Sequence, residues 1–228
     1  MILKNKNLVI FGTGKIAEAV SYFFERDSDY NIVAYVVDDE FAVNESFLSK
    51  PLIKKSLFLY TYSKDDIYLF VALGYQGINK LRKDRYLEFK NIGFKFASYV
   101  SPSLISKFEI GENSIVMDGS VLQPIITIGN NVFIWGGTMI GHHAIIHDNV
   151  WLTGGALIGG GVTIGDSTFI GMGAIIGQEV ILGNQCMIGA GALIVRNIDD
   201  KSVILIPQSD IHRLNSDQFS RMSSCFQI

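Results

Sequence analysis

Three observations predict the fold class: aliphatic residues recur every six positions from Ile110 to Ile194, lysine and arginine nearly vanish over that span, and the first forty residues read strand, glycine turn, helix, strand. Together they predict an α/β, Rossmann-like half domain over residues 1–103, an all-β left-handed parallel β-helix over 104–195, and a C-terminal tail over 196–228.

The first unit is read in chain order. Leu8 to Phe11 is a short apolar strand, Gly12-Thr13-Gly14 a turn, Ile16 to Phe24 a helix, and Ile32 to Val37 a second strand running into Asp38-Asp39. That is a βαβ unit. Tyr68 to Leu73 reads as a further strand ending at Gly74, followed by a helix to about Lys90 and a strand around Phe96 to Val100. Parallel sheets of this kind bind ligands at the carboxyl ends of their strands.

The second unit rests on a repeat. Steps of six from Ile110 to Ile194 meet fifteen aliphatic residues in fifteen positions, and the residue four further on is small or β-branched, as at Ser114, Val132, Ala144, Ala156, Thr168 and Ala192. A period of six suits neither an amphipathic helix nor a long alternating strand; it suits a short strand plus a corner on a three-sided prism, with 18 residues per coil. The aliphatic residue then points inward, the small one fits the narrow interior, and the glycine that often follows the aliphatic relieves crowding at the corner.

Composition narrows the function. Of 228 residues 48% are apolar and 18% charged, below the usual share of about 25%, so the chain folds around a large core. A net charge of −3 gives no electrostatic reason to expect nucleic acid or an anionic membrane as partner. Cys186 and Cys225 make neither a disulfide framework nor a CxxC site, which points to a reducing compartment, the cytoplasm. The amino-terminal apolar stretch is too short for a signal sequence, and the uncharged run from Gly119 to His147 is interrupted by Gln123, Pro124, Asn130, Asn131 and His142, so no membrane span is expected.

Two constellations carry chemistry. Gly12-Thr13-Gly14-Lys15-Ile16-Ala17 is a G-x-G-x-x-A turn that brings backbone N–H groups and a helix N-terminus to a phosphate, with Asp38 and Asp39 placed to meet a ribose or base. Half a Rossmann domain is too small for a full dinucleotide. Three of four histidines, His142, His143 and His147, lie in one coil, and eighteen residues after His142 stands Gly160, inside Gly159-Gly160-Gly161. An imidazole over exposed backbone N–H groups can serve as general base beside a polarised carbonyl. The spacing of His142 and His147 also fits a zinc enzyme of the γ-carbonic-anhydrase kind, but no histidine precedes His142 to complete the ligand set. A histidine on a polar corner with no catalytic task is the plain alternative.

GTGKIA, VVDD, VALG, YVSPS, the hexads, GHHAIIHD and GALIGGG resemble the bacterial nucleotide-sugar acyltransferases with an N-terminal sugar-nucleotide domain and a left-handed β-helix, over roughly residues 6 to 207. These include bacillosamine- and perosamine-type N-acetyltransferases and sialic acid O-acetyltransferases. The resemblance implies a homotrimer that uses acetyl-CoA and no metal, and transfers an acetyl group to a nucleotide-linked amino sugar. It places the catalytic histidine at His142, the amide that holds the thioester carbonyl at Gly160, and acetyl-CoA along Gly159, Gly160, Gly161 and Gly177. For the nucleotide-sugar it implies Gly12, Gly14, Lys15, Asp38, Asp39, Gly74 and Arg82. The chain departs from the family in having His143 where an acidic residue follows the histidine, leaving Asp148 or a neighbouring chain as its source, and Trp151 where a second histidine stands. An O-acetyltransferase of the same fold and a non-catalytic trimeric binding protein remain the other readings.

Overall fold

The computed structural model describes residues 3–104 and 108–222. Lys107, Cys225 and the end of the tail, 223–228, lie outside the described residues. In the first layer β1 (Lys6–Phe11), α1 (Lys15–Asp27) and β2 (Tyr30–Val37) form the expected βαβ unit, β1 and β2 pairing in parallel. Helix α1 buries Ala17, Val20, Ser21 and Phe24, one stripe at helical spacing, against the sheet.

Three elements absent from the sequence reading follow: β3 (Ser46–Phe47), β4 (Lys50–Lys54) and α2 (Lys55–Thr61). The β3–β4 turn is carried by Leu48 and Ser49 at φ of 45° and 62°. Such a turn normally announces itself by Asn-Gly or Gly-Gly, which is why it was illegible here. The sheet is completed by β5 (Tyr68–Val71) and β6 (Lys95–Phe96), with α3 (Lys80–Ile92) between them, in the order β3–β4–β2–β1–β5–β6.

The strand expected over 96–100 is divided. Ala97 still donates to Leu69 in the α/β sheet, whereas β7 (Tyr99–Val100) pairs with β8 (Ile115–Val116) and so opens the first face of the prism. That face continues through β11 (Phe133–Ile134), β14 (Trp151–Leu152), β17 (Phe169–Ile170), β20 (Met187–Ile188) and β22 (Val203–Ile204). The second face carries Val121, Met139, Leu157, Ile175 and Leu193, and the third Thr127, Ile145, Thr163 and Ile181, in strands two residues long. Between Ile115 and Ile194 neighbours in each ladder are parallel and eighteen residues apart, as the hexads require; at the two ends of the first face the step is sixteen, Tyr99 pairing with Ile115 and Met187 with Val203. Strand pairing thus extends on both sides of the span 104–195, because a ladder needs backbone geometry and not a hexad.

The aliphatic column from Val116 to Ile194 and the small residues four further on, Val132, Ala144, Ala156 and Ala174 among them, form the interior. Two kinds of corner position are under constraint. The third residue after each aliphatic, from Asn113 to Gly191, has φ between 55° and 75°, so the left-handed turn sits there, on Asn, Gly, Ser, His, Glu, Gln and even Ile125. The glycine directly after the aliphatic answers a different demand: at Gly141 a Cβ would stand 2.5 Å from the Gly160 nitrogen of the next coil.

The two layers share one apolar cluster, in which Phe70, Tyr99, Phe133 and Trp151 are buried together. Beyond β22 the tail is exposed, and α4 (Ser216–Met222) buries nothing.

Candidate active site

His142 stands on the edge joining the second and third faces, opposite the face covered by the α/β layer. Its main chain is held in the coil stack: its N–H donates to Gln123 Oε1 at 3.0 Å, and its carbonyl accepts from Gly161 at 2.8 Å. Its ring lies over Gly160, where a Cβ would come within 2.8 Å of Cε1 and 2.9 Å of Nε2. Glycine at 160 is what admits the imidazole. The Gly160 carbonyl accepts from Glu179 at 2.9 Å, while the Gly160 N–H donates to no protein group among the described residues. Above Gly161 the Glu179 carboxylate fills the space a Cβ would take, and Gly177 completes the glycine-lined edge against Ile194 of the following coil.

Consecutive residues of a strand point to opposite sides, which would turn His143 away from His142. The structure corrects this: both lie in the corner, residue 143 has φ of 60°, and the two Nδ1 atoms are 3.0 Å apart. Asp148 is also corrected as a partner for His142. It lies on the next edge, accepting the Asn130 N–H at 2.7 Å, and His147 shares that edge.

At the carboxyl ends of β1, β2 and β5 lies the second group of expected residues. Gly12 has φ of 123°, and a Cβ there would stand 2.8 Å from the Ala72 carbonyl oxygen. Gly14 caps α1 with no side-chain hydrogen bond, so no side-chain cap takes up the first N–H groups of the helix, and nothing lies within 4 Å of where its Cβ would be. Lys15 is exposed beside it. Asp38 is already paired, with Arg85 at 2.8 Å and Lys55 at 3.4 Å. Asp39 accepts the Ser56 N–H at 3.0 Å, and hydrogen bonds from Ser56 hold its carboxyl below the usual carboxylate range. The cations Lys55 and Arg85 went unread in the sequence, since only the packing of α2 and α3 brings them to the end of β2. Gly74 follows β5, with Gln76 folded against it and Tyr75 packed on Trp151 and Phe169.

Arg82 is not available to a ligand, contrary to expectation. It is fully buried; Nε and Nη1 donate to Asn131 Oδ1 and Asn79 Oδ1, and Nη2 to the carbonyls of Asn131 and Asn149 at 3.1 and 2.8 Å. Its guanidinium lies over Phe133 and Trp151, at 4.6 and 5.0 Å from the ring centres. Burial pushes it down to about 9, so at neutral pH it is a cation solvated by those oxygens and rings. Arg82 is a bolt between α3 and the prism, and Trp151 belongs to that junction.

Among the described residues no cluster of three or more His, Cys, Asp and Glu could hold a metal ion, and no helix is long and apolar enough to cross a membrane. The bacterial transferase hexapeptide (six repeats) family matches residues 161–196. No curated protein matches the chain. Among solved structures, the acetyltransferase domain of PglB from Neisseria gonorrhoeae FA1090 is 27% identical with a TM-score of 0.74, over 88% of this chain and 97% of that one, and a second structure of it holds acetyl coenzyme A. A histidine-to-asparagine variant of perosamine N-acetyltransferase from Caulobacter crescentus, in complex with CoA and GDP-perosamine, is 25% identical with a TM-score of 0.74, over 90% and 96% of the two chains. WeeI from Acinetobacter baumannii AYE, 19% identical with a TM-score of 0.71 over 88% and 97%, shares the fold.

Proposed function

We propose that this chain, an acyltransferase with the hexapeptide repeat and fold of the bacterial nucleotide-sugar acyltransferases, moves an acetyl group from acetyl-CoA to the amine of a nucleotide-linked amino sugar. The observation that carries the reading is the His142 imidazole lying over Gly160, whose N–H has no acceptor among the described residues. In this reading the amine attacks the thioester carbon, and its proton passes to His142 Nε2. The Gly160 N–H receives the developing oxyanion, and the same proton returns to the sulfur as the thiolate leaves. No covalent enzyme intermediate is required.

The acceptor sits at the β1–α1 turn, its diphosphate on the N–H groups after Gly14 with Lys15 alongside. Asp38 and Asp39 frame the far end of that site, already held by Arg85, Lys55 and Ser56. Because His142 lies on the edge opposite the α/β layer of its own chain, the sugar held by one subunit is presented to the His142 edge of another. Leu157, Ile175 and Leu193 on the second face and Ile145 and Ile181 on the third leave apolar surface exposed on both sides of that edge. This supports a homotrimer with acetyl-CoA in the groove between subunits. A buried free thiol at Cys186 agrees with a cytoplasmic protein.

The test is thiol release from acetyl-CoA with UDP-, dTDP- and GDP-linked amino sugars, each beside its hydroxy counterpart. Turnover with an amino sugar and none with its hydroxy analogue is expected; the reverse would make this an O-acetyltransferase. His142→Asn should lower kcat by about 10² to 10⁴. Unchanged turnover in that variant would remove His142 from the chemistry, and sedimentation as an active monomer would remove the shared site.

A further inference from the structure

We propose that His143 is the positioning residue for His142, holding the proton of the neutral ring on Nδ1 and leaving Nε2 free to accept. The proposal rests on the reading of His142 as the base.

The two rings stand nearly perpendicular, 86° between planes with centroids 5.1 Å apart, and their Nδ1 atoms are 3.0 Å apart. Two imidazole lone pairs cannot share that separation, so one nitrogen carries a proton and donates to the other. If His143 donated, a neutral His142 would carry its own proton on Nε2. That nitrogen lies over Gly160, and in the proposed reaction it must carry the lone pair that takes the amine proton. His143 has no such restriction. The contact therefore runs from His142 Nδ1–H to His143 Nδ1.

The left-handed turn is what makes this possible. Consecutive side chains diverge in a strand, but φ of 60° at residue 143 swings its ring back toward its neighbour. Ile125, His143, Gly161 and Glu179 occupy this same corner position in successive coils, and with no side chain at Gly161 the Glu179 carboxylate leans back over it. When His142 Nε2 takes the amine proton, the imidazolium keeps its Nδ1–H on His143, with the negative charge of Glu179 on the same edge. When the intermediate collapses, the Nε2 proton goes to the leaving sulfur and the dyad returns to its starting tautomer.

Long-range proton–nitrogen NMR correlation on the full-length chain, above the pH at which histidines titrate, reads the tautomer directly. Wild-type His142 should be protonated on Nδ1, and in His143→Ala it should shift to Nε2. In kinetics His143→Ala should lower kcat about 10- to 100-fold with the KM for acetyl-CoA within about twofold, as for loss of an outer partner of a working histidine. His143→Asp, whose carboxylate accepts the same Nδ1–H and tolerates the left-handed backbone, should recover most of kcat. His143→Gly, which relaxes the backbone but accepts nothing, should not. An Nε2–H tautomer in the wild type, or a His143→Ala enzyme at full kcat beside an inactive His142→Ala, would overturn this proposal alone. Full turnover by His142→Ala would remove the base reading and the proposal with it.

Discussion

Placing one methyl group at Gly160 separates catalytic geometry from stability. A Cβ there would stand 2.8, 2.9 and 3.2 Å from Cε1, Nε2 and Nδ1 of His142. Carbon contacts settle at about 3.5–4.0 Å, so the ring must retreat by roughly 0.7–1 Å. Residue 160 is not in the left-handed region, so alanine meets no backbone strain there. His142 is exposed and its ring can move into solvent, which keeps the loss of stability to about 0.5 kcal/mol. A shift of about 1 Å in a catalytic group costs on the order of 10²-fold in rate. Gly160→Ala should therefore lower kcat about 10²-fold in the thiol-release assay, with Tm within about 2 °C of wild type.

Gly159→Ala makes the opposite case. Its Cβ would stand 2.7 Å from the Gln178 nitrogen and 2.9 Å from the Gly177 carbonyl carbon, backbone atoms of the next coil that cannot step aside. About 1–3 kcal/mol of stability should be lost. A Gly160→Ala enzyme with unchanged Tm and kcat within about threefold of wild type would refute the argument that the imidazole works where it stands over Gly160.

Arg82→Met should strip donors from Asn79, Asn131 and Asn149 and lower stability by about 3 kcal/mol or more, read as a fall in Tm; an unchanged Tm would mean that the junction does not depend on its buried cation. Gly14→Val should raise the acceptor KM about tenfold or more with the acetyl-CoA KM unchanged: φ of −87° suits valine and no atom obstructs it, so equal damage to both constants would remove the diphosphate site. Asp166 links the prism to Lys83 of α3 at 2.6 Å. Burial works to raise its pKa, but hydrogen bonds from Lys83, Ser167 and Asn149 outweigh that, and the carboxyl is held below the usual range. A depressed carboxyl stabilises the fold above its unfolded value of about 3.9 and loses that contribution as pH falls through the lower folded value. The stability gap between wild type and Asp166→Asn should accordingly be full at pH 6 and shrink as pH falls below the unfolded carboxyl's value in denaturant titrations; a gap that stays constant into strong acid would assign it to packing alone.

The prism was legible because each of its residues answers to a local rule repeated every coil. An inward aliphatic, a small residue four positions on and an eighteen-residue ladder can be counted without knowing what lies outside. For the same reason the stacking of His142 on Gly160 followed from addition. The β1–α1 turn was legible because Gly12 and Gly14 meet backbone demands made within a few residues of themselves.

What needed the tertiary structure was every property set by two distant segments meeting. Arg82 reads as a helix-surface arginine or a phosphate ligand until α3 is laid on the prism, where carbonyls 49 and 67 residues away in the chain take up its donors. Asp38 reads as a free acid until α2 and α3 deliver Lys55 and Arg85 to it. His143 reads as pointing away until the left-handed corner turns it onto His142. Periodicity determines which side chains face inward and which share an edge, because those depend on spacing along one strand or coil. The direction of a side chain at a corner, and the partner that meets a charge, depend on backbone angles and contacts that spacing does not encode.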